Sequence, residues 1–140
     1  MPTFTGISHL DLTVSDLTKS ADWYVNTLGF QVLMRADADN RSMAVMMHPG
    51  SGLIMGLVQH HSQAADAFDE RRPGLDHLAF NVTERAELDH WQQRLAELGV
   101  THSPVTDDPS GLGTALVFRD PDNIQLELWW MSPQAQSLGG

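Results

Sequence analysis

Gly6-Ile7-Ser8-His9-Leu10 is answered 68 positions later by Gly74-Leu75-Asp76-His77-Leu78. Val14 and Trp23 recur at the same offset as Val82 and Trp91. Leu28-Gly29 returns as Leu98-Gly99, now 70 positions on, so the register slips by two residues in a helix or its turn. Self-similarity at a nearly fixed offset marks a duplicated structural unit. Each copy puts a histidine, a polar and metal-competent residue, at the same strand position. The duplication therefore suggests a site built where the two copies meet.

Each half reads as strand, helix, then strands. Ile7 to Val14 alternates, with Leu10, Leu12 and Val14 on one face and Ile7, His9, Asp11 and Thr13 on the other. Ser15 or Asp16 can cap a helix whose apolar residues Leu17, Ala21, Tyr24, Val25 and Leu28 have helical spacing, and Gly29 ends it. Strands are expected over 30–35, 42–47 and 53–58, with turns at 37–40 and 49–52. In the second half, 77–82 alternates Leu78, Phe80 and Val82 against His77, Ala79 and Asn81. An amphipathic helix capped by Thr83 is expected over 83–98, stopped by Gly99, followed by strands over 100–105, 114–119 and 124–130. The fold class is α+β, two βαβββ modules in tandem. They form a single domain over 1–140: module one about 5–58, a polar linker with a helical turn about 59–73, module two about 74–130, and an unpatterned tail 131–140.

Composition narrows the chemistry. There are no cysteines, so disulfides, thiolate metal sites and a cysteine nucleophile are excluded. Any metal must be held by imidazole, carboxylate, carbonyl or water. With 18 acidic and 8 basic residues the net charge is −10, which argues against nucleic acid, because neutralising phosphates requires clustered Lys and Arg. No apolar stretch is long enough to span a bilayer and the first residues lack a signal-peptide pattern, so a cytoplasmic protein without a membrane partner is expected.

On Ile7-Ser8-His9-Leu10, on Gly74 to Phe80 and on Phe118-Arg119-Asp120-Pro121-Asp122-Asn123-Ile124-Gln125-Leu126-Glu127-Leu128, the chain resembles the vicinal oxygen chelate superfamily. That group comprises glyoxalases, fosfomycin- and bleomycin-resistance proteins and type I extradiol dioxygenases. The resemblance runs from about Thr5 to Trp130. It implies that the modules' sheets form an open cup with helices on the outer face and a metal on the concave side. It further implies ligands from the first and fourth strands of each module, which here are His9, His77 and Glu127. Strand parity agrees, since Gln125, Glu127 and Trp129 share one face while Leu126, Leu128 and Trp130 share the other. A charge amid so apolar a strand needs a partner. The matching position in module one is Gly56, which offers no side chain.

The expected cofactor is therefore one divalent ion, Fe, Mn, Ni, Co or Zn, on two histidines and one carboxylate, with positions left for water and substrate. It would act as a Lewis acid on a small oxygen-bearing organic substrate. Asp11, on the face of His9, is the candidate to orient that imidazole. Ile54, Val58, Val117 and Trp129 would supply apolar substrate contacts and Asn81 a polar one, and the Met43 to Met47 run could add an adaptable wall. Isomerase, lyase, transferase and dioxygenase chemistry stay open. Glyoxalase I resembles this fold but uses a ligand where this chain has Gly56. The extradiol signature has a tyrosine where this chain has Val117 and a Gly or Pro where it has Asn123. The fosfomycin-type phosphonate-binding cluster is not evident. The alternative is a metal-independent drug-binding protein of the bleomycin-resistance kind. Chains of this size in the superfamily resemble homodimers, with exchange of modules between chains an open arrangement. The remaining histidines, His48, His60, His61, His90 and His102, are expected to be solvated.

Overall fold

The computed structural model of the chain describes residues 1–62 and 66–139. It divides into two compact units, Met1–Asp66 and Ala67–Gly140. Each is a four-stranded mixed sheet with one principal helix between its first and second strands, the duplicated α+β arrangement expected from the repeat.

Unit one holds β1 (Leu10–Thr13), α1 (Leu17–Leu28), β2 (Gln31–Ala38), β3 (Arg41–Met47) and β4 (Ile54–His60). The sheet order is β1-β4-β3-β2, with β1 parallel to β4 and the other pairs antiparallel. A parallel pair requires a long crossover, which α1 and the β2–β3 hairpin supply. Leu12, Ala44, Met46, Met55 and Leu57 are buried on the face that meets α1, together with Ala21, Tyr24 and Leu28 of the helix. The Asp16 carboxylate accepts the Lys19 N–H at 3.0 Å, so Asp16 rather than Ser15 caps α1. Gly29 ends the helix in the left-handed region at φ 82°, which returns Phe30 edge-on to Tyr24.

Unit two repeats the plan with β5 (Leu78–Val82), α2 (Ala86–Glu97), β6 (Thr106–Asp107), β7 (Gly113–Arg119) and β8 (Gln125–Met131), in the order β5-β8-β7-β6. Leu88 and Leu95 of α2 are fully buried, as are Leu116 and Leu126, with Phe118 and Leu128 nearly so. The opposite face of each sheet carries the residues of chemical interest.

Several boundaries differ from the sequence expectation. The first strands begin at Leu10 and Leu78, so His9 and His77 stand just ahead of their strands rather than inside them. β2 runs on to Ala38, taking in residues assigned to a turn. Thr83 does not cap α2. The N-cap is Arg85, without a side-chain cap, because Glu84 and Arg85 turn first and accept the Glu87 and Leu88 N–H groups at 3.0 and 3.1 Å. The strand expected over 100–105 reduces to a single bridge, His102 to Phe118, and the paired segment shifts to β6. There the Asp107 carboxylate takes the Thr114 hydroxyl at 2.7 Å and the Arg85 guanidinium at 3.1 Å. These bonds hold its pKa below the usual carboxylate range.

The expected tail contains a short helix, α3 (Pro133–Leu138), started by the Ser132 hydroxyl accepting the Ala135 N–H at 3.2 Å, with Pro133 in the first turn. Of the linker, Gln59 and His60 belong to β4 and residues 63–65 lie outside the described residues. Over 66–73 there is no helix, only a turn in which the Asp69 carbonyl accepts the Arg72 N–H at 3.1 Å.

Candidate functional site

In unit two the parallel pairing of β5 with β8 sets Ala79 opposite Glu127, and the antiparallel pairing of β7 with β8 sets Val117 on its other side. Glu127 is therefore a carboxylate flanked by two apolar residues on the face away from α2, and it is only 9% exposed. A buried carboxylate is costly unless polar groups meet it. Two do. The Gln125 amide donates to Glu127 Oε1 at 3.2 Å, and the His77 imidazole brings Nε2 to 3.7 Å from Oε2.

Both contacts are themselves anchored. His77 Nδ1 lies 2.7 Å from Asp76 Oδ1, and in the neutral tautomer that donates this bond the Nε2 lone pair is on the Glu127 side. Gln125 Oε1 accepts from Arg119 at 3.1 Å, which orients the amide so that its NH₂ faces Glu127. Arg119 in turn grips both oxygens of Glu70, at 2.8 and 3.1 Å, and donates to the Asn123 carbonyl at 3.0 Å. The bidentate pair holds the Glu70 pKa near 2, chiefly through the Arg119 hydrogen bonds, and raises that of Arg119. Asp76, His77, Glu127, Gln125, Arg119 and Glu70 thus form one connected polar line across the open face.

An unprotonated Nε2 and a carboxylate oxygen are both electron-pair donors, and 3.7 Å is too long for a hydrogen bond between them. Two ligands bound at ~2.1 Å to one ion at a tetrahedral angle lie ~3.4 Å apart. The pair fits two neighbouring ligands of a divalent cation, and imidazole with carboxylate is a donor set such ions accept.

In unit one His9 is exposed and its Nδ1 lies 3.0 Å from the Ser8 hydroxyl, with no partner for Nε2 among the described residues. Asp11 is registered with Gly56 across the β1–β4 pair. Its carboxyl group lies directly over that glycine, where a Cβ at position 56 would sit only 2.7 Å from Asp11 Cγ. Ile54 is half-buried and Val58 buried, both on the Gly56 face of β4. Gln59 has the opposite parity, and its amide oxygen accepts the Leu17 N–H at 2.8 Å, capping α1.

Of the substrate-contact candidates in unit two, Asn81 is exposed and registered with Trp129, while Val117 and Trp129 are half-buried. The Trp129 ring lies against Gly113, in space that any side chain there would fill. His48 and His102 are not simply solvated. The His48 ring packs edge-on to Phe30 and bonds Ser51, and His102 Nδ1 contacts the Ser103 carbonyl. His61 bridges Ser42 and the Asp39 carbonyl at the β3–β4 end.

The sequence reading missed Asp76, Arg119 and Glu70. Asp76 was legible, since it adjoins His77 in the quoted repeat. Arg119 and Glu70 are 49 residues apart and carry no local signal.

The profile of the Glyoxalase/Bleomycin resistance protein/Dioxygenase superfamily matches residues 6–128. A crystal structure of a glyoxylase/bleomycin resistance protein/dioxygenase domain from Frankia sp. EAN1pec is 42% identical. It superposes with a TM-score of 0.85, covering 93% of this chain and 100% of that one. The uncharacterized protein YwkD of Bacillus subtilis is 32% identical over 88% of this chain and 94% of its own length. Catechol-2,3-dioxygenase of Bacillus subtilis is 29% identical over 94% of this chain, which spans only 43% of that protein.

Proposed function

The chain belongs to the glyoxalase/bleomycin resistance/dioxygenase superfamily, and from that premise we propose that it is a metal-dependent enzyme acting on a small oxygen-bearing organic molecule. The proposed protein ligands of one divalent ion are His9, His77 and Glu127. The observation that carries this reading is the His77–Glu127 pair, two donors 3.7 Å apart with each held from behind by a further hydrogen bond. When bound, the ion would polarise a substrate oxygen and stabilise the negative charge that develops on it.

The protein's own part is positioning. Asp76 fixes the His77 tautomer, and Gln125, steered by Arg119, fixes the plane of the Glu127 carboxylate. Glu127 also supplies a base, with its second oxygen free of Gln125, for a proton leaving a carbon or hydroxyl beside the chelated oxygen. Val117 and Trp129 give the same face an apolar wall suited to a planar or hydrocarbon portion of the substrate, with Ile54 and Val58 as the corresponding residues of unit one. Asn81 offers a neutral hydrogen-bonding group to substrate.

Titration of metal-free protein with Mn²⁺ and Zn²⁺, followed calorimetrically, tests the reading. One site per chain is expected in the wild type, lost in His77→Ala and weakened at least about tenfold in Glu127→Gln. Absence of binding by the wild type, or binding untouched by both substitutions, would sink it.

A further inference from the structure

Among the described residues, Arg119 is the one basic residue on a strand of unit two, and its charge is already taken. It ends β7 on the open face, registered with Gln125 and two residues beyond the Val117 that pairs with Glu127. Both Glu70 oxygens meet its guanidinium, at 2.8 and 3.1 Å. Glu70 comes from 66–73, a stretch without helix or strand, and a clamp on the β7–β8 turn brings it there. The Phe68 N–H donates to the Asp122 carbonyl at 3.1 Å, and the Asn123 amide donates to the Phe68 carbonyl at 3.0 Å. The Asn123 carbonyl accepts from Arg119, also at 3.0 Å. Asn123 makes these bonds at φ 68°, the one non-glycine residue at positive φ among those described. Asn enters that region more readily than most residues, yet the conformation costs energy, and such an outlier is grounds for a functional hypothesis. One residue thus docks the segment and aligns the ion pair.

We propose that Glu70, docked by Asn123, sets the charge specificity of unit two's open face: seated on Arg119, it denies that cation to anionic ligands, so the face takes uncharged ones. This rests on the reading of that face as the ligand site and deepens it by naming the substrate class. A bidentate carboxylate is what a guanidinium makes with an acidic ligand, and here the protein supplies the carboxylate itself. With Glu70 in place Arg119 adds no net charge. The other titratable side chains of the polar line are Asp76, His77 and Glu127, none of which is a fixed cation. An anionic group arriving there meets carboxylates and finds no guanidinium to receive it, which is discrimination by an unpaired charge. The pair is within reach of a ligand, since the Arg119 and Glu70 side chains are 36% and 30% exposed. The substrate is accordingly neutral at this end, bearing hydroxyl, carbonyl or amide groups rather than a carboxylate or a phosphate.

The test uses two probes of one shape, protocatechuate, a catechol bearing a carboxylate, and its uncharged primary amide. Their affinities for the full chain are measured calorimetrically at neutral pH, without dioxygen and with Mn²⁺ present for every protein compared. The wild type should bind the amide more tightly. Glu70→Gln should shift the ratio of affinities towards the acid by at least about tenfold, the effect of one unit charge ~10 Å away at an effective dielectric constant of ~20. Glu70→Gln/Arg119→Gln should abolish that gain, because the receiving cation is gone. Asn123→Gly keeps the left-handed turn without strain and loses only the side-chain bond, so it should shift the ratio the same way by a smaller factor. A ratio unmoved in Glu70→Gln, a gain that survives in the double variant, or a wild type that prefers the acid overturns the proposal and leaves the ligand site standing. A ratio unmoved in Asn123→Gly alone overturns the part given to Asn123. If none of the proteins binds either probe, the face is not the ligand site and the proposal falls with that reading. The expected shifts without Mn²⁺ binding would uphold the proposal and overturn only the metal reading.

Discussion

Asp76→Ala separates the organisation of the site from the stability of the fold. The His77–Asp76 bond is 2.7 Å, short enough to be charge-assisted, but its partners are 40% and 72% exposed. Removing a hydrogen bond so open to water changes unfolding free energy by about 1 kcal/mol or less. Metal affinity should respond more strongly. Without Asp76 the imidazole has two tautomers and roughly two orientations about χ2, of which about one in four presents an unprotonated Nε2 to Glu127. That alone gives a factor of about 4, and loss of the carboxylate's electron donation brings the total to roughly 10- to 100-fold, or about 1.4–2.7 kcal/mol. Asp76→Asn keeps an acceptor for the Nδ1 proton and should fall between. The assay is calorimetric titration with Zn²⁺ at fixed pH, beside urea unfolding of the same samples. Affinity within twofold of the wild type in Asp76→Ala would refute the argument that this bond prepares His77 as a ligand.

Other consequences follow from the same geometry. Gly113→Ala puts a methyl group into the Trp129 ring and against the Trp130 carbonyl, so it should destabilise by about 1–3 kcal/mol, seen as a lower urea midpoint. An unchanged midpoint would mean that Trp129 has room to move. Glu70 titrates near 2 when folded against an ordinary value of 4.5, so its pairing with Arg119 stabilises fully above about pH 4.5 and is lost as pH falls towards 2. Glu70→Gln should flatten that acid limb, leaving the smaller share due to Asp69, whose pKa is also held near 2 by Arg71. Identical acid limbs in the two proteins would contradict the pairing.

The repeat made the fold legible because strand and helix periodicities reappear around matched histidines. The faces of β4 and β8 followed from alternation alone: Gln59 turned to cap α1 while Gly56 and Glu127 lay on the opposite, open faces. Boundaries set by local hydrogen bonding were less legible. Thr83 looks like a cap, yet the turn at Glu84 and Arg85 satisfies the first N–H groups of α2 instead. The segment 100–105 has strand composition but gains only one bridge, since Ser103 spends its backbone N–H and its hydroxyl on the Val117 carbonyl and N–H. Residues next to the proposed ligands in sequence, Asp76 beside His77 and Gln125 on the same strand face as Glu127, could be read. The Arg119–Glu70 clamp depends on tertiary folding, and the seating of Asp11 over Gly56 depends on strand register.

The donor set is tested most directly by a crystal structure of protein grown with Mn²⁺, with anomalous scattering locating the ion. The account predicts a peak within bonding distance of His9 Nε2, His77 Nε2 and a Glu127 oxygen. A fully occupied ion held by other residues, or a His77–Glu127 pair left without one at saturating Mn²⁺, would contradict it.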